Sequence, residues 1–192
     1  VNSIAVDEST HAVWFGTDNG IVRFDQGSKT RQRYGLDDNL PNVMVNASEF
    51  DTHRRLWAAF YHGNLAVFNR EENKWDTISE APGPICYALF PEEKGEVLYL
   101  ATTQGIVRYN METQRTTTYW GDTEFRSVLF DAKEKELWAG SWEKGLFYRD
   151  EQSGREQKVK GFEELSILDI RRDEIGKTVW FATSEGAFCW DS

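Results

Sequence analysis

The chain has 192 residues, a net charge of −10, 28% charged residues and 14% aromatic residues, a composition that suits one globular domain and excludes a disordered segment. No run approaches the roughly 20 apolar residues of a membrane-spanning helix, and acidic residues spread along the whole chain argue against nucleic acid or an anionic membrane surface as a partner. The two cysteines, Cys86 and Cys189, each lie inside an apolar run; they are too few for a disulfide framework and are expected to be buried small hydrophobes.

Val1 already begins a strand-like run, with no signal-peptide pattern, so the sequence reads as part of something longer. Residues 3–6 (SIAV) form a first short strand, closed by an acidic turn at Asp7. Two β-rich runs follow, residues 13–17 (VWFGT) and 21–24 (IVRF), joined by Asp18-Asn19-Gly20. Branched and aromatic residues around an Asn-Gly turn predict a tight hairpin. A polar run, 31–34 (RQRY), predicts a fourth strand.

The same unit then recurs. LWAAFYHGNLAVFN (56–69), LYLATTQGIVRYN (98–110), LWAGSWEKGLFYRD (137–150) and VWFATSEGAFCWD (179–191) restate the first hairpin. Their lead aromatics, Trp14, Trp57, Tyr99, Trp138 and Trp180, are spaced by 43, 42, 39 and 42 residues, and all five are expected in the core. The turn glycines, Gly20, Gly63, Gly105, Gly145 and Gly186, keep step. Upstream apolar runs at 43–45, 85–90, 127–130 and 167–170 predict first strands, and Asp51, Asp131 and Asp173 repeat Asp7 as turn-formers. No segment has a helical period.

Four short strands in about 42 residues describe one blade of a β-propeller. The expected fold is therefore all-β, with about five four-stranded blades at 1–41, 42–84, 85–124, 125–165 and 166–192, the last blade incomplete. Two architectures fit: a five-bladed ring, or a segment of a larger propeller. The polar outermost strands would guard each blade against edge-to-edge pairing.

The repeats resemble the two-component regulator propeller family, the extracytoplasmic sensor region of hybrid histidine kinases. LPNVMVNASEFDTHRRLW carries the opening of that pattern at Leu40, Pro41, Asn42 and Asp51. WFGTDNGIVRFD carries the hairpin at Trp14, Gly16, Thr17, Gly20, Ile21, Arg23, Phe24 and Asp25. Copies two, three and five lack the glycine before the threonine position, and copy four has an extra residue. The resemblance implies a periplasmic, carbohydrate-sensing module that works beside further propeller and β-sandwich domains of a parent chain.

Propeller ligands bind on one face near the central opening. The turns between strands two and three share a face with the links between blades, which places Asp18-Asn19, Tyr61-His62, Thr103-Gln104, Trp142-Glu143-Lys144 and Ser184-Glu185 together. The links add Asp37-Asp38-Asn39, 82–84, Asp122-Thr123-Glu124 and Glu163-Glu164. Trp142 and Tyr61 stand out as aromatics where other copies carry small polar residues. A ring beside carboxylates and amides suits a sugar, whose apolar face stacks while its hydroxyls hydrogen-bond. The candidate ligand-binding residues are Trp142, Tyr61, His62, Glu143, Lys144, Asp18, Asn19, Asp37 and Asp38.

No catalytic residue, metal ligand or cofactor motif stands out: HExxH, GxSxG, CxxC and phosphate-loop patterns are missing. Asn46 opens a glycosylation sequon but falls in an expected strand. Trp120 is expected to cap a blade. The partners this reading allows are an oligosaccharide, the other domains of a parent chain and a second copy of the chain. Three functions compete: a carbohydrate sensor, a protein-docking or structural propeller, and a polysaccharide-acting enzyme.

Overall fold

The structure, a computed structural model, describes residues 1–78, 85–173 and 177–191. It contains five antiparallel sheets in sequence order. Sheet 1 holds β1 (Ser3–Asp7), β2 (Ala12–Thr17), β3 (Gly20–Asp25) and β4 (Arg31–Tyr34). Sheet 2 holds β5 (Val45–Phe50), β6 (Leu56–Phe60), β7 (Leu65–Asn69) and β8 (Lys74–Ile78). Sheet 3 holds β9 (Cys86–Pro91), β10 (Val97–Thr102), β11 (Gly105–Asn110) and β12 (Thr116–Tyr119). Sheet 4 holds β13 (Phe125–Asp131), β14 (Glu136–Ser141), β15 (Leu146–Asp150) and β16 (Glu156–Lys158). Sheet 5 has three strands, β17 (Ile167–Asp173), β18 (Thr178–Thr183) and β19 (Gly186–Asp191). Among the described residues there is no α-helix.

The hairpin chemistry is local and repeats. Thr17 Oγ1 donates to the Gly20 carbonyl and accepts from the Asn19 amide. Thr102, Ser141 and Thr183 make the same clasp. In sheet 2 Phe60 replaces the hydroxyl residue, and the turn closes through the backbone instead, with the Gly63 amide donating to the Phe60 carbonyl. Gly20 shows why the turn ends in glycine: its φ is +90°, and a Cβ there would lie 2.2 Å from the Tyr34 carbonyl oxygen.

The sheets stack face to face in a propeller-like arrangement, their first strands β1, β5, β9, β13 and β17 each adjoining the next. The lead aromatics of sheets 1 to 4 pack on the sheet that follows. Trp14 meets Phe68 at 4.8 Å, Tyr99 stacks on Phe130 at 4.8 Å, and Trp138 meets Phe181 at 5.5 Å. Trp57 joins Leu98 and Leu100 in the same way. Each aromatic pair adds roughly 0.5–1.5 kcal/mol beyond the area it buries. The core is therefore a series of inter-sheet layers rather than one central cluster.

The series has two uncovered ends. β17 does not pack on β1 as the other first strands pack on their successors. On sheet 1, Ile4 and Val6 face outward, beside the half-buried Val13, Phe15, Val22 and Phe24. On sheet 5, Val179 and Phe181 are buried against sheet 4, but Trp180 between them points the other way and is 46% exposed. This corrects the expectation that all five lead aromatics are core: among the described residues no following sheet covers Trp180. Cys189 pairs with Trp180 across the strands and is exposed for the same reason, whereas Cys86 is buried as expected.

A second correction concerns sheet 2. Its first strand begins at Val45, not Val43, because the Val43 and Met44 carbonyls accept from the Gly20 and Tyr61 amides of the hairpin turns. Asp7, Asp51 and Asp131 are turn-formers as expected, and two of them also join sheets, while the turn after Asp173 lies outside the described residues. Asp7 accepts from the Ser9 amide and from Arg70 of sheet 2, and Asp131 accepts from the Lys133 amide and pairs with Arg172 of sheet 5. Trp120 is half-buried against Phe125 and Phe147, the capping position expected of it.

Candidate functional site

The turns between second and third strands lie against the links between sheets. The Tyr61, Thr103, Trp142 and Ser184 amides donate to the Met44, Ile85, Glu124 and Ser166 carbonyls, which lead into the first strand of the same sheet. The Gly20, Gly105 and Gly145 amides donate to the Val43, Thr123 and Leu165 carbonyls, which lead into the next. One face thus gathers the turns and links. The 82–84 link lies outside the described residues.

Register builds the inner part of this face. Near the start of four successive first strands one extra residue breaks the pairing: Asn46 on β5, Tyr87 on β9, Arg126 on β13 and Leu168 on β17. A bulge re-aims the side chain it carries, and bulges gather beside functional sites. These four residues form an inner arc, and Tyr61, Thr103, Trp142 and Ser184 form an outer arc beside it.

Contacts join the arcs into a strip. The Arg126 guanidinium lies 3.7 Å from the Tyr87 ring centroid and 4.6 Å from that of Trp142. Glu124 fixes it from the side, 2.6 Å from Nη2. Tyr61 meets His62 edge-on at 5.3 Å. Burial raises the Tyr87 pKa, Arg126 opposes that rise, and Glu124 and Tyr61 add to it. Asn46 Nδ2 donates to the Cys86 carbonyl, tying sheet 2 to sheet 3 beneath the strip. Trp142 is 43% and Tyr61 40% exposed, so two aromatic rings remain open to solvent.

Most of the other expected site residues also make contacts within or beside their own turns. Lys144 Nζ donates to the Asp122 carbonyl and to Thr123, bracing the Trp142 turn. Asp18 accepts from Asn2 at 2.8 Å, and Asn19 accepts from Arg33. Asp37 and Asp38 lie in a short 3-10 turn, where Asp38 Oδ2 accepts from the Gly35 amide. Glu143 is exposed beside Trp142 in the same turn. Tyr87 and Arg126 were not legible as site residues, since a bulge is visible only once the partner strand is in place.

β5, β9, β13 and β17 line an open cleft of about 260 Å³, with Glu49, Asp169 and Arg171 on its walls. Arg171 pairs with Asp169 at 2.9 Å. Burial raises the Glu49 pKa, with Arg171 pulling it back. Among the described residues no group of three or more His, Cys, Asp or Glu could hold a metal ion.

No protein-family model matches the sequence, and no curated protein does. Solved structures do share the fold. The extracellular domain of BT4673 from B. thetaiotaomicron superposes with a TM-score of 0.84 at 18% identity, over 100% of this chain and 27% of that one. The extracellular domain of BT3049 from the same organism, described as a hybrid two-component system, gives 0.77 at 16% identity, over 97% of this chain and 27% of that one. Kuenenia stuttgartiensis hydrazine synthase gives 0.76 at 16% identity, over 95% and 55%. A hydrazine synthase and the extracellular domains of BT4673 and BT3049 thus share the architecture, and the architecture alone does not choose between them. This chain spans about a quarter of the BT4673 and BT3049 chains and has the fold of that part of them, the same group of extracellular domains that its repeats resemble.

Proposed function

We propose that this chain is a non-catalytic, extracytoplasmic sensor segment of two-component type that recognises an oligosaccharide along the strip from Tyr61 to Trp142. The observation that carries the reading is the strip itself: two solvent-open rings, with Tyr87 and Arg126 between them, on the face where turns and links gather. Such rings stack on the apolar faces of pyranoses, and the surrounding amides and carboxylates take up hydroxyls. The resemblance of the repeats and the shared fold of the extracellular domains support the sensor role and the extracytoplasmic location.

The two uncovered faces fit a section of a larger propeller. Trp180 presents to solvent what Trp14, Trp57, Tyr99 and Trp138 present to the next sheet, and the outer face of sheet 1 offers the apolar surface that sheets 2 to 5 offer to the preceding one. A second reading, protein docking, draws on the same apolar face of sheet 1.

A glycan-array screen of this chain beside a longer one tests the sensor reading. Binding by the short chain, lost in Trp142→Ala and Tyr61→Ala with the circular dichroism unchanged, is the expected result. Unchanged affinity in both variants would remove the strip as the site, and no binding by either chain would favour docking.

A further inference from the structure

We infer that Arg126 is the positioning residue of the strip and that its neutralised charge makes the site select neutral over acidic oligosaccharides; the ligand-class half rests on the carbohydrate reading above. Three observations carry this. The guanidinium lies between the Tyr87 and Trp142 rings, close to both. It therefore fixes their separation and holds the Trp142 ring, whose chain position is a turn that could otherwise let it swing. Its register position is a bulge, so the strand itself directs the side chain there.

The third observation concerns charge. Arg126 Nη2 is 2.6 Å from Glu124 Oε1, an ion pair by distance without hydrogen-bond geometry, and among the described residues Glu124 Oε1 and Arg126 Nε are both buried with no hydrogen-bond partner. A free guanidinium would attract a uronate or a sulfate through a bidentate pair. Here Glu124 already pairs with the cation, and Asp122 and Glu143 on the same face outnumber the one further cation there, Lys144. An acidic sugar would have to break an existing ion pair in a field of its own sign, on a chain of net charge −10. A neutral sugar asks only for stacking on rings already spaced. Planarity matters as much as charge, because an ammonium cannot lie between two rings as a guanidinium does.

The test separates the two halves. Of the eight tryptophan indole N–H signals in a nitrogen-15 spectrum, Trp142→Phe identifies that of Trp142. Without any sugar, Arg126→Ala is expected to move this signal and leave distant indoles such as Trp14 and Trp75 in place, and Arg126→Lys is expected not to restore it. A Trp142 signal unmoved by Arg126→Ala, or restored by lysine, would overturn the positioning role. For selectivity, neutral β-glucan, mannan and xylan hexasaccharides are titrated against oligogalacturonate and oligomannuronate of the same length. The expected result is at least one neutral sugar bound roughly tenfold more tightly than either uronate, with Glu124→Gln narrowing that gap. Tighter uronate binding by the unaltered chain would overturn the selectivity. Binding of none of the sugars would overturn the selectivity and count against the carbohydrate reading, while leaving the positioning role to the spectrum.

Discussion

The Asp7 carboxylate of sheet 1 accepts a 2.8 Å hydrogen bond from the Arg70 guanidinium of sheet 2, while Ser9 and Thr10 donate to it from its own turn. Asp7 is only 4% exposed. A residue that reads in the sequence as a turn-former therefore also clamps two sheets together. Burial alone would raise its pKa, but the donors from Ser9, Thr10 and Arg70 outweigh burial and bring it from 3.8 down to about 2.

This depression has a defined acid signature. Because the folded pKa lies below the unfolded one, the stabilisation is complete above about pH 4 and is lost as pH falls through the folded value of about 2. Its size is up to about 2 kcal/mol. Urea unfolding of the unaltered chain and of Asp7→Asn at pH 7 and near pH 2 checks it. The difference between the two chains should be largest at pH 7 and shrink towards zero in acid. A difference independent of pH would show that the carboxylate charge is not what matters.

The glycine that some repeats lack has a partner in the neighbouring strand. Gly16 sits opposite Ser3, and Gly140 sits opposite Ser127. Where the repeat carries alanine instead, sheets 2 and 3 place another alanine opposite: Ala59 faces Ala47, and Ala101 faces Ala88. A Cβ on Gly140 would lie 2.3 Å from Ser127 Oγ and 2.6 Å from Ile167 Cβ. Gly140→Ala is therefore expected to cost about 1–3 kcal/mol through overpacking, and Ser127→Ala in the same chain should recover part of that loss. Thermal unfolding of the single and double variants decides it. A double variant no more stable than Gly140→Ala would place the clash elsewhere, at Ile167.

Trp138 and Trp180 hold the same repeat position with opposite surroundings. Trp138 is 2% exposed, against Phe181 and Tyr148, whereas Trp180 is 46% exposed on the uncovered end. Trp138→Ala should cost about 3–5 kcal/mol, and Trp180→Ala no more than about 1 kcal/mol. Denaturant unfolding measures both. A large loss at Trp180 would mean that its face is covered in solution, by a second copy or by further sheets, and sedimentation of the same sample would show which.

These pairs also show why some features were legible in the sequence and others were not. The hairpins could be read because their chemistry is local: Thr17 or Ser141 clasps a turn a few residues away, and glycine supplies the positive φ. The spacing of the lead aromatics then gave five sheets in order. Trp180 was misread because burial belongs to the neighbouring sheet, and nothing in VWFATSEG differs in kind from a covered copy. The first strand of sheet 2 starts later than expected because Val43-Met44-Val45 is an unbroken apolar run, although its first two carbonyls serve the turns. Of the site, Tyr61 and Trp142 could be seen as odd aromatics in turns. Tyr87 and Arg126 could not, since their placement depends on strand pairings that slip by one residue.

The two cysteines offer a last check on the uncovered end. Cys86 is buried on β9, its thiol facing the Ala88 carbonyl, and burial pushes its pKa up to about 12. Cys189 sits on the exposed face of β19. The thiolate is the reactive form, so a buried thiol with a raised pKa is inert at neutral pH. An aromatic disulfide reagent should modify one cysteine quickly in the native chain and the second only in denaturant, and Cys189→Ser should remove the fast phase. The rate at Cys86 then reports how often sheets 2 and 3 open. Fast modification of both thiols would mean that this interface is loose in solution, and slow modification of both would mean that something covers the Trp180 face.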